Sequence, residues 1–171
     1  MSNEKSKTLN SYLSFKLGEE VFAANVSKVL NILEMTKITQ VPRSPSYMKG
    51  VINLRGTVLP VIDTRIKFGM SVTEFTANTC ILVLDVIIDN ESLHVGALVD
   101  AVQEVLEIEP SLILPPPNIG SKYKSEFING MYKLNDTQFI MLLDMDKIFM
   151  SEDALILRES KSEVVTEPVI S

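Results

Sequence analysis

The stretch from residue 49 to residue 68 constrains the fold more than any other part of the 171-residue chain. Two apolar, mostly β-branched runs, Val51–Leu54 and Val58–Ile62, flank the short link Arg55-Gly56-Thr57. Such runs predict buried strands, and a glycine-bearing link of this length predicts a hairpin. Gly56 can adopt the positive φ that a tight connection requires. The stretch therefore predicts a rigid hairpin that presents Arg55 at its tip.

Short helices are predicted where a capping side chain precedes a suitable run. Asp63 is placed to cap one helical turn over Thr64–Phe68. Asn25 is placed to cap a second helix, because apolar residues recur after it at helical spacing, namely Val26, Val29, Leu30 and Leu33. Two more short helices are predicted over Asp144–Met150 and Glu152–Arg158.

The remaining apolar runs predict further strands, and the two halves of the chain resemble each other. Lys28–Ile32 is similar to Glu104–Ile108, and the spacing of Gly50 and Asp63 is repeated by Gly130 and Asp144 with one extra residue. Each half then has five short strands and is too small to be stable alone. These features predict a mainly β fold of two five-stranded barrels that share a core, from about 12–78 and 79–158. A groove between the barrels is the natural binding place. The strands are predicted over Tyr12–Leu17, Val21–Ala24, Thr79–Ile88, Ser92–Val99, Ala101–Ile108, Ile128–Leu134 and Phe139–Leu143.

Charge is distributed unevenly along the chain. The formal net charge is −6, yet the segment from 37 to 67 holds six basic residues and one acidic residue. A basic patch on an acidic protein fits an acidic protein surface. Nucleic acid is disfavoured because the overall charge opposes phosphate contacts. A solvated basic face without a partner is the alternative, and charge alone favours it.

Composition predicts a cytoplasmic protein with polar, flexible ends. The N-terminus lacks the apolar core of a signal peptide, and no apolar run approaches the roughly 20 residues of a membrane helix. The single cysteine, Cys80, fits a reducing compartment and is expected to be a small buried hydrophobe. Residues 1–11 and 159–171 are predicted to be flexible, leaving a single domain over 12–158.

Signatures of catalysis are sparse, so neither a metal nor a cofactor is expected. The only histidine, His94, falls on the polar side of its predicted strand, and no phosphate-binding or nucleophile motif is present. Four aspartates lie at strand ends, where this residue usually caps helices or ends strands: Asp63, Asp85, Asp100 and Asp144. A small metal-dependent enzyme using these carboxylates is the less favoured alternative.

Arg55 is the strongest candidate for recognition because its guanidinium group suits partner carboxylates. An internal ion pair with Glu34 or Asp63 is an equally weighted alternative.

Residues 12–150 resemble the CheW coupling proteins of bacterial chemotaxis. The resemblance is carried by Val29-Leu30-Asn31-Ile32, by Lys49-Gly50-Val51-Ile52-Asn53-Leu54-Arg55-Gly56, by Pro60-Val61-Ile62-Asp63 with Arg65, and by Gly96–Val102. It implies two intertwined, SH3-like five-stranded barrels that share a core, with short helices and without catalysis. It also implies a bridge between the regulatory domain of a CheA-type histidine kinase and the cytoplasmic tips of methyl-accepting chemoreceptors.

Matched position by position, the resemblance implies two sets of binding residues. The receptor groove maps to Val29, Asn31, Gly50, Arg55, Gly96, Val102 and Val105. The kinase contacts map to Ile38, Val41, Leu114, Asn118 and Ile119. The groove is expected to be apolar and floored by its glycines. Many relatives are acidic where this chain has Asn31 and basic where it has Leu114, so an accessory paralogue in a non-motility array is the alternative.

Overall fold

The computed structural model describes residues 10–71, 74–116 and 127–149, together with 153, 156 and 157. Ten strands are present among these residues, together with the helix α1, Thr64–Lys67. Short 3-10 helices cover Val26–Lys28 and Pro110–Leu112, and residues 153, 156 and 157 are also helical. In chain order the strands are β1 (Asn10–Leu17), β2 (Glu20–Asn25), β3 (Val29–Glu34), β4 (Met48–Leu54), β5 (Thr57–Asp63), β6 (Cys80–Ile88), β7 (Glu91–Val99), β8 (Ala101–Ile108), β9 (Ile128–Asn135) and β10 (Gln138–Leu143). No helix in this described part of the chain is long and apolar enough to cross a membrane.

The strands form two five-stranded sheets with the same internal pattern. The first sheet has the order β8-β1-β2-β10-β9, and the second has the order β3-β6-β7-β5-β4. Each contains one parallel pair, β2 with β10 or β5 with β7, and its other pairs are antiparallel. Each half of the chain gives its first two strands to one sheet and its last three to the other. The predicted mainly β, intertwined architecture is therefore confirmed, although neither half forms a sheet by itself.

Each sheet is closed further by one isolated backbone bridge. Thr39, which follows β3, exchanges hydrogen bonds of 2.9 and 2.8 Å with Val51 of β4. Leu114, which follows β8, exchanges hydrogen bonds of 2.8 and 3.0 Å with Met131 of β9. The bridges occupy equivalent places in the two halves, and each brings one edge of its sheet toward the other, as in a barrel.

Two glycines permit these bridges, which explains why they recur in the repeat. A Cβ atom on Gly50 would lie 2.1 Å from the Thr39 carbonyl oxygen, and the φ of Gly50 is +146°. A Cβ atom on Gly130 would lie 2.8 Å from the Leu114 carbonyl oxygen and 2.5 Å from Ile113. Close backbone approach therefore requires glycine at both places.

The interior has three parts that follow the alternation of side chains along the strands. One cluster lies inside each barrel, and a larger cluster draws residues from both sheets. In β6, Leu82 and Leu84 belong to the shared cluster, whereas Ile81 and Val83 belong to the cluster of the second sheet. Because neighbouring side chains of a strand point to opposite faces, such a strand is buried on both sides. The predicted shared core is therefore confirmed.

Two helix predictions are wrong. Asn25 does cap a helical turn, accepting a hydrogen bond from the Ser27 amide at 2.9 Å, but Val29–Glu34 is a strand paired with β6. Pairing with a core strand outweighs the local helical spacing of the apolar residues. The described part of Asp144–Met150 is a turn, in which the Asp144 carboxylate accepts from the Asp146 amide at 3.1 Å.

The segment beyond β10 is attached to the body of the protein at Asp153 and Leu157. The Asp153 carboxylate accepts hydrogen bonds from the Tyr47 hydroxyl and, at 2.8 Å, from the Lys67 ammonium group. Leu157 is fully buried in the shared core. The tail predicted over 159–171 and residues 1–9 of the predicted N-terminal segment lie outside the described residues. Asn10 and Ser11, which were also predicted to be flexible, instead pair with β8 as the first residues of β1.

Truncation at two places tests this attachment. Removing residues 160–171, which are mostly polar, is expected to change the free energy of unfolding by no more than about 0.5 kcal/mol. Removing residues 150–171 also takes away Asp153 and Leu157, and the lost burial of one core leucine alone costs about 2–5 kcal/mol. Urea denaturation of both truncated proteins measures the difference. Equal losses of stability in the two proteins would contradict the conclusion that Asp153 and Leu157 attach this segment to the body of the protein.

Candidate functional site

Arg55 lies at the tip of the β4–β5 hairpin, as predicted. Arg55 and Gly56 form the two-residue turn with φ of +55° and +83°, values typical of a tight hairpin. The Asn53 side chain accepts a hydrogen bond from the Gly56 amide at 2.8 Å and holds the turn. Arg55 is exposed and borders a cavity of about 220 Å³. The other residues lining it are Leu54, Thr57, Val58, Leu59, Val83 and His94.

The alternative of an internal ion pair for Arg55 is not supported. Asp63, one of its two suggested partners, is fully buried and accepts 3.0 Å hydrogen bonds from the Nε and Nη2 atoms of Arg65. No hydrogen bond or ion pair of the Arg55 side chain occurs within the part of the chain that the structure describes. The Arg55 guanidinium group is therefore available to a carboxylate of another molecule.

Arg65 forms the buried ion-pair network of this protein. Its Nη1 atom lies 3.0 Å from an oxygen of Asp100, whose other oxygen accepts from the Gly18 amide at 2.6 Å. The adjacent carboxylates raise the pKa of Arg65 above its ordinary value, chiefly through its hydrogen bonds to Asp63, although burial lowers it. The network joins the β5–α1 junction, the β7–β8 corner and the β1–β2 turn.

The strand-end aspartates have structural partners where the structure describes them. Asp63 caps α1 by accepting from the Arg65 amide at 3.0 Å, as the sequence predicted. Asp85 lies within β6 rather than at its end, which corrects the prediction for this residue, and it accepts a hydrogen bond from the Ser92 hydroxyl. Over the described ranges, no group of three or more histidine, cysteine, aspartate or glutamate side chains is arranged to hold a metal ion.

Three of the predicted receptor-groove residues face the region between the barrels. Val102 and Val105 of β8 pair with Phe15 and Leu13, whose side chains belong to the shared core. Directly paired residues share one face of a sheet, so both valines point toward the same region. Val29 pairs with Leu84 and packs on the same core. Val105 is 55% exposed, which makes this edge of the molecule accessible and apolar.

A cleft of about 530 Å³ adjoins this region and contains Val102. The ends of β1 and β3 and the beginnings of β6 and β8 contribute to it, so both sheets line it. Burial raises the pKa of the Cys80 thiol in the wall of this cleft. Cys80 packs against the shared core but is only half-buried, less than the sequence predicted. The other lining residues are Lys16, Glu34, Ala77, Asn78, Thr79, Ala101 and Gln103.

The sequence reasoning missed Ile32 as a member of this surface. Ile32 pairs with Leu82 of the shared core and is 46% exposed. The sequence of β3 is apolar on both faces and does not single out Ile32, so its position follows only from the pairing of β3 with β6.

Asn31 lies on the other face of β3 from Ile32. It pairs with Val83, which belongs to the interior of the second barrel and also lines the cavity beside Arg55. The Asn31 side chain accepts a hydrogen bond from the Ile32 amide at 2.8 Å. The predicted groove residues thus lie in two regions, one between the barrels and one near the Arg55 cavity.

Gly50 and Gly96 do not floor a groove in the way that the sequence suggested. The space beside Gly50 is filled by the Thr39 backbone. A Cβ atom on Gly96 would lie 2.8 Å from Ile81 and 3.2 Å from Leu59, inside the second barrel. Both glycines allow close packing within this chain. The prediction that they form the floor of a groove for a partner is therefore wrong.

The predicted kinase contacts are only partly accessible. Val41 is 8% exposed and belongs to the shared core, and Ile38 packs against the interior of the second barrel. A direct contact by the Val41 side chain is therefore not expected. Leu114 is 39% exposed beside the bridge to β9. Asn118 and Ile119 lie outside the described residues.

A family model described as "CheW-like domain" matches residues 11–153, most of the chain. The chain belongs to the CheW-like family. It is 36% identical over 141 residues to "Chemotaxis protein CheW" of Rhizobium meliloti, covering 82% of this chain and 88% of that protein. It is 32% identical over 152 residues to the protein of the same name from Klebsiella aerogenes, covering 88% and 89%.

A solved CheW structure has the same fold. The crystal structure of the scaffolding protein TtCheW from Thermoanaerobacter tengcongensis matches with a TM-score of 0.71 at 29% identity. The match covers 82% of this chain and 92% of that one. The prediction of an SH3-like, two-barrel CheW fold is therefore confirmed. Membership of this scaffold family also agrees with the prediction that the chain is not an enzyme.

Proposed function

We propose that this chain couples the cytoplasmic tips of methyl-accepting chemoreceptors to the regulatory domain of a CheA-type histidine kinase. The observation that carries the proposal is Arg55, an exposed arginine on a rigid hairpin of a CheW-like fold, with no internal partner in the described part of the chain. An arginine held in this way is suited to a carboxylate of a partner protein. The named chemotaxis relatives support the same role.

The receptor side of the proposal uses the apolar edge between the barrels. Val29, Val102 and Val105 point toward this region, and the exposed Ile32 extends it. An amphipathic receptor helix would bury its apolar face here. The Arg55 cavity would take an acidic side chain from the same partner, with Asn31 near its wall. The proposed groove thus combines apolar burial with one charged contact.

The kinase side of the proposal rests on the two barrel-closing segments. Thr39 and Leu114 occupy equivalent places in the two halves, so each barrel offers one such segment. The exposed Leu114 side chain would contact the kinase regulatory domain, and the segment around Ile38 would support the opposite contact. In this role the protein is cytoplasmic and reaches membrane-associated arrays through its receptors, with no membrane insertion and no nucleic-acid partner.

Arg55→Glu tests the receptor contact. The change is expected to weaken binding of a receptor cytoplasmic fragment about tenfold or more, because a favourable ion pair becomes a repulsive one. Binding of the kinase regulatory domain and the melting temperature should stay near those of the unmodified protein, because Arg55 is exposed. Titrations with each partner and a thermal melt measure the three quantities.

Lys133→Glu is the matched control, because it reverses a charge on β9 of the other sheet. It should leave receptor binding unchanged. Equal receptor binding by the Arg55→Glu and unmodified proteins would contradict the role assigned to Arg55. If the unmodified chain binds the kinase domain but no receptor fragment, the accessory-paralogue alternative replaces the proposed coupling.

A further inference from the structure

The basic segment from 37 to 67 retains charge that the proposed coupling does not use. Arg65 pairs with Asp63 and Asp100, and Lys67 pairs with Asp153. With Arg55 assigned to the receptor, the remaining basic residues of the segment are Lys37, Arg43 and Lys49.

Arg43 and Lys49 border one cavity of about 360 Å³. Among the described residues that line it none is acidic, and two serines add hydroxyl groups. The described lining of this cavity has no residue in common with that of the Arg55 cavity. Its other lining residues are Gln40, Val41, Pro42, Ser44, Pro45, Ser46 and Met48.

The loop that forms this cavity is anchored along its length. Val41 is buried in the shared core, and the Ser44 hydroxyl donates to the Val41 carbonyl oxygen at 2.8 Å. The Met48 amide donates to the Pro45 carbonyl oxygen at 2.9 Å. Two prolines restrict the backbone between these contacts. A partner would therefore meet a preformed surface and lose little affinity to ordering the loop.

An exposed aromatic side chain extends the basic surface. Phe75 is 43% exposed, and its ring centroid lies 5.6 Å from the Lys49 ammonium nitrogen. Aromatic and arginine side chains are enriched at protein interfaces, where aromatic anchors often dominate the binding energy. The cavity and Phe75 together offer cationic contacts beside an apolar one.

We propose that Arg43, Lys49 and Phe75 form a docking surface, the loop site, for an acidic segment of a partner protein. Carboxylates of the segment would pair with Arg43 and Lys49, and an apolar side chain beside them would cover Phe75. Charge complementarity favours this partner, and the net charge of −6 disfavours nucleic acid. The proposal does not depend on receptor or kinase coupling.

Two synthetic peptides and inorganic phosphate test the loop site on the full-length chain. One peptide alternates glutamate with leucine, and the other carries glutamine in place of every glutamate. Only the glutamate peptide is expected to shift the backbone amide resonances of Arg43, Lys49 and Phe75. The Arg43→Glu/Lys49→Glu variant should weaken its binding about tenfold or more, and Phe75→Ser by about threefold. Raising ionic strength from about 0.01 M to about 1 M should also weaken it, because the Debye length falls from about 30 Å to about 3 Å.

Lys37→Glu provides the control, because Lys37 is exposed in the same segment but does not line the cavity. It should bind the glutamate peptide like the unmodified chain. Equal binding of the glutamine peptide, saturation of the same residues by phosphate alone, or unchanged binding by the double variant would each overturn the proposal. Since neither receptor nor kinase is present in the assay, such a result would leave the proposed coupling standing.

Discussion

Arg65→Ala is expected to destabilise the protein by about 3–5 kcal/mol, the usual cost of removing one partner from a buried ion pair. Arg65 is 1% exposed and is placed between Asp63, which is fully buried, and Asp100. Without the guanidinium group, the fully buried Asp63 carboxylate would lose the ion pair that compensates its negative charge. The Asp100 side chain is partly exposed, so water would compensate part of the ion pair that it loses. Urea denaturation gives the free energy of unfolding of both proteins.

Arg55→Ala is the control for this prediction, because it removes the same side chain from the tip of the preceding hairpin. Substitutions at such an exposed position usually change stability by no more than about 0.5 kcal/mol. The two variants should also differ in function, since only Arg55 is proposed to touch the receptor. If Arg65→Ala unfolded at the same urea concentration as Arg55→Ala, the network around Arg65 would not stabilise the junction of the barrels.

The contrast between these two arginines marks what sequence could not decide. Both belong to one basic segment, and the sequence leaves open an ion pair between Arg55 and Asp63. In the structure Asp63 pairs with Arg65 instead. Composition and spacing along the chain do not report burial. Arg65 pairs with Asp63 because the first turn of α1 places its side chain in the interior. Asp100, which follows β7 in the other half of the chain, binds the same guanidinium group.

Most of the fold was nevertheless predictable from local patterns. The β4–β5 hairpin and the cap at Asp63 depend on contacts between near neighbours. Two five-stranded units with a shared core were predictable from the repeated halves, each too small to be stable alone. The exchange of strands between the halves does not follow from the repeat. The helix prediction for Val29–Glu34 is wrong because this segment becomes a strand by pairing with β6, which lies about fifty residues away in the chain.

The candidate site was predictable only as a set of residues. The resemblance indicated Gly50 and Gly96, but the structure shows that the space beside each is filled by this chain itself. It likewise indicated Val41, which is a core residue. Residues that hold a fold together and residues that meet partners are equally recognisable in a family motif. Burial and contacts are needed to separate the two classes.

Gly50→Ala is expected to destabilise the protein by about 2–5 kcal/mol, because strain and overpacking act together. An alanine Cβ would lie 2.1 Å from the Thr39 carbonyl oxygen and 2.8 Å from Ile38, and the φ of +146° is itself rarely adopted by alanine. Overpacking costs about 1–3 kcal/mol, and an unfavourable φ adds about 1–2 kcal/mol. The bridge between Thr39 and Val51 would have to open for the side chain to fit. Urea denaturation measures the loss, and hydrogen exchange at the Thr39 and Val51 amides reports whether the bridge opens.

Gly56→Ala separates the two sources of this cost. Gly56 has a φ of +83°, yet a Cβ atom there would meet no atom of the described residues within 4 Å, so only the strain applies. Its expected cost is therefore about 1–2 kcal/mol, with no change in exchange at Thr39. A Gly50→Ala loss no larger than that of Gly56→Ala would mean that the contact with Thr39 relaxes freely. The recurrence of glycine at positions 50 and 130 would then need a reason other than closure of the barrels. A larger loss would mean that glycine recurs at positions 50 and 130 because each barrel closes by a close backbone contact at that residue.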